Sequence, residues 1–320
     1  MEQRHLGRSG LTVSRLGLGT MTWGRDTDEH ESADQLRAFL EAGGTLLDTA
    51  ASYGDGESER VVGSLLGSLV SRSDVVLATK AGIERRDGRR RVDTSRRALL
   101  AALDASLSRL GTDHVDVWQV HTWSEATPLE ETLAALEDAV RSGRARYVGV
   151  SNYAGWQTAR AATLLESSSV GARLVSTQVE YSLLARGVEE EVVPAASALG
   201  LGVLAWSPLG RGVLSGKYRT GVPADSRAAS PHFASFVEPY LEERSRRIVD
   251  AVVTAAEGLG AAPVEIALAW VRDRPGVTAP IVGARTAAQL RGALPAERLA
   301  LPAEIRAALD DVSAPPPSPP

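Results

Sequence analysis

VDVWQVHTWSEATPLEETLAALEDAVRSGRARYVGVSN, running from Val115 to Asn152, reads as one structural unit. An apolar run, Val115 to His121, ends on a polar residue, and a segment of helical period follows from Leu129 to Arg141. Gly143 is the stop signal and Thr127 the expected N-cap. A second apolar run, Tyr147 to Asn152, again ends polar. Runs that are apolar throughout and joined by a helix indicate parallel strands covered on their outer face.

The same unit repeats on either side. Runs rich in Val, Leu and Ile recur at Leu16 to Thr20, Thr45 to Asp48, Val75 to Lys80, Leu174 to Val179, Gly202 to Ser207 and Thr278 to Gly283, which brings the total to eight. Ala98 to Leu110 has helical period, with Asp93 as expected N-cap and Gly111 as stop. The last interval is longer: a loop near Gly221 to Pro239 precedes two helical stretches, Glu243 to Leu259 and Pro263 to Arg272. Eight strand-helix units predict an α/β fold, a (β/α)8 TIM barrel with extra helices, whose active site lies among the loops at the strand C-termini. Arg4 to Val13, around Gly7-Arg-Ser-Gly10, suggests an N-terminal β-hairpin closing the floor. Residues 1–312 are expected to form a single domain, and 313–320 a Pro-rich disordered tail.

The rival, a doubly wound sheet, requires a dinucleotide fingerprint. Gly17-Leu-Gly19-Thr-Met-Thr22 lacks the third glycine, and Gly210-Arg-Gly212-Val-Leu-Ser215 misses it by one position. A G-x-S-x-G elbow and a helical H-E-x-x-H are absent as well. With no cysteine, the chain has no disulfide, thiol nucleophile or thiolate metal site, and no metal is expected. A net charge of −5, not gathered in blocks, and a pI near 5.7 argue against a nucleic-acid binder. MEQRHLGRSG has no apolar h-region, so no signal peptide is expected. The charge-free stretch Val192 to Gly210 is broken by Pro194, Pro208 and glycines, so it reads as a helix end, a turn and a strand, not a membrane span. A cytoplasmic protein without a membrane partner is the expectation; the oligomeric state stays open.

Of 35 basic residues only two, Lys80 and Lys217, are lysine; the other 33 are arginine. Arginine covers a surface as well as lysine does but cannot act as a compact, tunable ammonium, so the two lysines attract attention. In a barrel, Asp48, Lys80 and His121 end successive strands on the catalytic rim, and Tyr53 follows five residues after Asp48. An ammonium near a phenol stabilises the phenolate and lowers the phenol pKa. Lys80 is placed to do so, Asp48 to keep it charged, and His121 to hydrogen-bond a substrate oxygen. Taken singly, Asp48 could cap a turn, Tyr53 could be a loop aromatic and His121 a structural histidine.

These residues resemble those of the aldo-keto reductase family, and the similarity runs from about Leu6 to Val312. Gly43-Gly-Thr-Leu-Leu-Asp48-Thr-Ala-Ala-Ser-Tyr53-Gly is similar to the family's aspartate and tyrosine segment, Ala78-Thr-Lys80 to its lysine segment, and Val115-Asp-Val-Trp-Gln-Val-His121 to its histidine segment. The resemblance implies that Tyr53 is the general acid in carbonyl reduction, with Lys80, Asp48 and His121 tuning or orienting it. It also implies NADP(H), bound across the barrel mouth. Thr20, Met21 and Asp48 are expected among the cofactor-binding residues, and Ser151, Asn152, Gln178 and Trp206 match its nicotinamide side, with Trp206 standing where many members have tyrosine. Ser207, Pro208, Leu209, Gly212 and Lys217 match the loop over the pyrophosphate. Arg227, Gly283, Arg285 and Gln289 match the phosphate and adenine side, where Gly292 and Ala293 replace an acidic residue and an asparagine. The helix opening after Gly283 offers an N-terminus to an anion, and Arg285 resembles the anchor of a 2′-phosphate. Trp23, Tyr53, His121 and Trp123 are expected to line the pocket for a small carbonyl substrate. Two alternatives stand beside the reductase: a non-catalytic NADPH-binding redox sensor, and a class I aldolase using Lys80 as Schiff-base nucleophile.

Overall fold

The computed structural model of the chain describes residues 1–86, 89–168, 171–224, 226–230 and 233–315, apart from the side chains of Arg86 and Arg227. Strands β1 (Gln3–His5) and β2 (Thr12–Ser14) form an antiparallel hairpin. Its Leu6 and Val13 are fully buried among Leu46, Ala78, Val117, Leu204 and Ala279, the inward-facing side chains of the barrel, so the hairpin plugs the floor. Gly7 permits this: its φ is +59°, and a Cβ there would lie 2.5 Å from the carbonyl oxygen of Val175.

The barrel strands are β3 (Gly17–Gly19), β4 (Leu46–Asp48), β5 (Val76–Ala81), β8 (Val115–Val120), β9 (Ala145–Ser151), β10 (Leu174–Glu180), β11 (Gly202–Trp206) and β12 (Val277–Val282). All are parallel, and β12 pairs with β3 to close the ring. Each falls on one of the eight apolar runs. Between β5 and β8 lies a feature the sequence reading did not anticipate, an antiparallel hairpin of β6 (Ile83–Arg86) and β7 (Arg89–Val92). Its arginine-rich sequence carries no alternating apolar pattern to announce it.

Helices α1 (Glu29–Glu41), α2 (Glu57–Leu65), α3 (Arg96–Leu110), α4 (Leu129–Arg141), α5 (Gly155–Glu166) and α6 (Val192–Leu199) cover the outside. They are followed by α7 (Ala234–Val237), α8 (Glu243–Leu259), α9 (Pro263–Arg272), α10 (Ala287–Ala293) and α11 (Ala303–Val312). The expected caps are displaced by one or two residues. Ser95, not Asp93, accepts from the amide of Ala98 at the head of α3, while Asp93 takes the amide of Ser95. Pro128, with its φ fixed near the helical value, occupies the position expected of Thr127. The stretch from Val192 becomes α6, a left-handed turn at Gly200 and β11, as its breakers indicate. Among the described residues no single helix is long and apolar enough to cross a membrane; α8 and α9 are bent by 102° to each other.

The expected loop before α8 contains α7 and two short 3-10 turns, Arg227–Ala229 and Glu238–Tyr240. Ser313 is fully buried and accepts a hydrogen bond from Arg186, and Arg244 donates to the carbonyls of Ser313 and Ala314. Residues 313–320, the expected tail, are described only as far as 315, and 316–320 lie outside the described residues.

Candidate active site

Parallel register sets the rim. Asp48, the last residue of β4, lies opposite Ala78, which places Lys80 two residues further along β5; Lys80 in turn lies opposite Gln119 of β8. The Lys80 ammonium, 1% exposed, donates to Asp48 Oδ2 at 2.6 Å, to the carbonyl of Thr49 at 2.9 Å and to Tyr53 Oη at 3.4 Å. Three acceptors take up its three N–H donors. Asp48 Oδ1 accepts from Gln178 Nε2 at 2.8 Å. Tyr53 is brought inward by a turn in which its amide donates to the carbonyl of Ala50. The His121 ring meets the Tyr53 ring edge-on, centroids 5.9 Å apart, and its amide donates to the carbonyl of Ala81.

Electrostatics divide these groups by role. Burial opposes the charge on Lys80, but Asp48 and Tyr53 together hold its pKa above the ordinary lysine value. A Schiff-base nucleophile must be neutral. The aldolase alternative thereby loses its premise. Burial, aided by the positive charges of Lys80 and Arg90, pushes the His121 imidazole down to about 3, so it is neutral at physiological pH. For Tyr53 the sequence expectation is corrected: burial raises its pKa, outweighing the lowering by Lys80, and the phenol keeps its proton. The ammonium limits the cost of a phenolate without making one in the resting protein.

Tyr53, Asp48 and His121 open into a cavity of ≈ 570 Å³, whose wall also includes Met21, Ser151, Asn152, Gln178, Trp206, Ser207, Pro208, Leu209, Gly212, Lys217, Gly283, Arg285 and Gln289. Trp206 donates from Nε1 to Asn152 Oδ1 at 3.0 Å, which fixes the plane of the indole. Asn152 also donates to the carbonyl of His121, and the Ser151 hydroxyl donates to that of Gln178, so both are committed within the wall. Gln178 spends its N–H on Asp48 and retains an amide oxygen as acceptor.

The cavity fits a nicotinamide dinucleotide. It offers an acceptor and a fixed aromatic face beside Tyr53, and its wall carries two cations, Lys217 and Arg285. The loop that leads into Lys217 includes Gly212, whose φ of +96° favours glycine.

Other expectations are corrected. Trp23 is completely buried, with its Nε1 donating to Gln35 of α1, and packs in the core, not in the pocket wall. The buried Thr20 hydroxyl donates to the carbonyl of Asp48 and shares a hydrogen bond with the Ser58 hydroxyl, so it supports the strand ends. Trp123 lies outside the cavity wall; it donates to Glu125 and packs edge-on against Tyr153 and Trp156. The N-terminus of α10 is already capped, because Glu31 accepts from the amide of Ala287 and Thr286 from that of Gln289. Arg227 contributes backbone to a 3-10 turn, and its side chain lies outside the described residues.

Arg211 and Phe236 were not foreseen. Arg211 forms a two-pronged pair with Glu180 at 2.8 and 2.6 Å and lies 3.9 Å from the centroid of Phe236, tying the loop after β11 to the segment around α7. An arginine between two glycines in a chain with 33 gives no signal of such a clamp.

A sequence model described as the Aldo/keto reductase family matches residues 15–314. An uncharacterized oxidoreductase, YrpG, of Bacillus subtilis is 39% identical, over 98% of this chain and 96% of its own. A probable voltage-gated potassium channel subunit beta of Oryza sativa is 36% identical, over 89% of this chain and 87% of its own. An L-glyceraldehyde 3-phosphate reductase of Escherichia coli O157:H7 is 34% identical, over 91% and 86%.

Proposed function

The chain belongs to the aldo/keto reductase family, and from that premise we propose that it is an NADPH-dependent reductase of aldehydes and ketones with Tyr53 as general acid. When bound, the reduced nicotinamide supplies hydride to the carbonyl carbon. Tyr53 gives its hydroxyl proton to the carbonyl oxygen, and the phenolate left behind faces the Lys80 ammonium 3.4 Å away. Asp48 keeps that ammonium charged and aimed. The neutral imidazole of His121 offers an N–H to the same carbonyl oxygen without competing as an acid. Trp206 and Gln178 position the nicotinamide, while Lys217 and Arg285 bind phosphate and favour NADPH over NADH.

The observation that carries this reading is the Lys80 ammonium, locked by Asp48 and Thr49 and still reaching the Tyr53 oxygen at the cavity wall. NADPH consumption with a panel of simple aldehydes, compared between the wild type and Tyr53→Phe, is the test. Loss of a positioned general acid is worth about 10²–10⁴-fold in kcat, with NADPH affinity preserved. Equal rates end the assignment. The likeness to a potassium channel subunit beta supports a second reading, a cofactor-binding sensor. Tight NADPH binding with negligible turnover of every carbonyl in the panel selects it.

A further inference from the structure

The hairpin β6–β7 rises from the rim between the two strands that carry Lys80 and His121. Its base is fixed: the amide of Asp93 donates to the carbonyl of Gly82, and that of His121 to the carbonyl of Ala81. Residues 83–92 contain five arginines, at 85, 86, 89, 90 and 91. Pairing places Ile83 opposite Val92, Glu84 opposite Arg91 and Arg85 opposite Arg90. Side chains alternate along a strand, so Arg85 and Arg90 share the face of the half-buried Ile83 and Val92, ~7 Å further from the base.

Like charges directly opposite each other across two strands are destabilising. Several arginines elsewhere are paired with acids, as at Arg109 with Glu59, Arg211 with Glu180 and Arg274 with Asp310. Among the described residues Arg85 and Arg90 have no such partner, and Glu84 makes no ion pair with Arg91 although it stands opposite. The Arg90 charge is close enough to the pocket to help keep His121 neutral. The chain as a whole carries a net charge of −5.

We infer that the Arg85–Arg90 face receives an anionic group, phosphate or carboxylate, carried at the far end of a substrate whose carbonyl lies at Tyr53. A guanidinium pair binds such a group through forked, charge-assisted hydrogen bonds, and the bound anion removes the like-charge repulsion. A basic spot beside the mouth of an otherwise acidic protein also concentrates anionic ligands there. The inference rests on the reductase reading for its chemistry and on the hairpin for its selectivity.

Two matched pairs test it: 4-carboxybenzaldehyde against benzaldehyde, and glycolaldehyde phosphate against glycolaldehyde. We expect kcat/KM to favour the anionic member by about tenfold or more, the worth of one hydrogen bond to a charged group. The pair with the larger ratio distinguishes carboxylate from phosphate. In R85Q/R90Q that ratio collapses towards one, largely through KM, whereas R298Q, which removes an exposed arginine beside Glu297, leaves it unchanged. A second measurement avoids turnover: terephthalate binding to the NADPH complex weakens about tenfold in R85Q/R90Q. Unchanged ratios and unchanged terephthalate affinity overturn the anion site. If no aldehyde is reduced but terephthalate binding still depends on the arginines, the reductase reading fails and the anion site stands.

Discussion

Two arcs of the barrel rim share one cavity but are built differently. On the β4–β5–β8 arc, Asp48 and Lys80 stand on paired strands, almost without solvent exposure and with each charge answered by another. On the β11–β12 arc, Lys217 and Arg285 stand on connections beyond the strand ends, and Lys217 is exposed. The first arc is part of the buried core, and under the proposed function the same atoms also carry the chemistry. The second lies outside the core, so its proposed cofactor contacts can change without disturbing the barrel.

The largest expected effect separates the two lysines. Lys80→Met leaves Asp48 buried without its counter-charge, which costs ~3–5 kcal/mol of stability, in addition to lost turnover. Lys217→Met is a surface change, within about 0.5 kcal/mol in stability, that raises the Kd for NADPH. Urea unfolding of both variants decides it, and equal destabilisation would erase the contrast. Next, Arg285→Ala is expected to weaken NADPH binding about tenfold and NADH binding much less, as titration calorimetry can measure. Parallel losses for both cofactors would remove the 2′-phosphate role.

Thr286→Ala removes the side-chain cap of α10 and is expected to lower stability by ~1 kcal/mol with little effect on kcat, since Glu31 still holds the neighbouring amide. On turnover the smallest expected effect is none. With His121 held at about 3 in place of 6.5, kcat/KM shows no inflection near pH 6.5. The unfolded chain binds the extra proton between those values. The stability of the neutral imidazole is therefore complete above 6.5 and lost as pH falls toward 3. A urea midpoint that does not fall between pH 7 and pH 5, or whose fall is the same in His121→Asn, contradicts this.

The strand-mounted arc was legible because parallel strands with both faces buried must be apolar, so each run ended visibly at Asp48, Lys80 or His121. Rarity singled out Lys80 before any geometry did. What stayed hidden depends on partners distant in the chain. Trp23 looks like a pocket aromatic until Gln35 takes its N–H, and the end of α10 looks open until Glu31 arrives from α1. The clamp of Arg211 on Glu180 and Phe236 depends on a left-handed backbone at Arg211, φ +58°, which only the folded loop specifies. The Tyr53 pKa was misjudged because a charge count sees Lys80 but not the loss of water around the phenol.

The closing seam between β12 and β3 joins the last barrel strand to the first with only two register pairs, Ile281 with Gly17 and Val282 with Leu18. During synthesis on the ribosome, therefore, β3 waits with one edge unpaired until nearly the whole polypeptide has emerged, and an unpaired edge invites association with other chains. Stalled or truncated products that end before Val277 should accordingly be the species that chaperones hold and proteases remove.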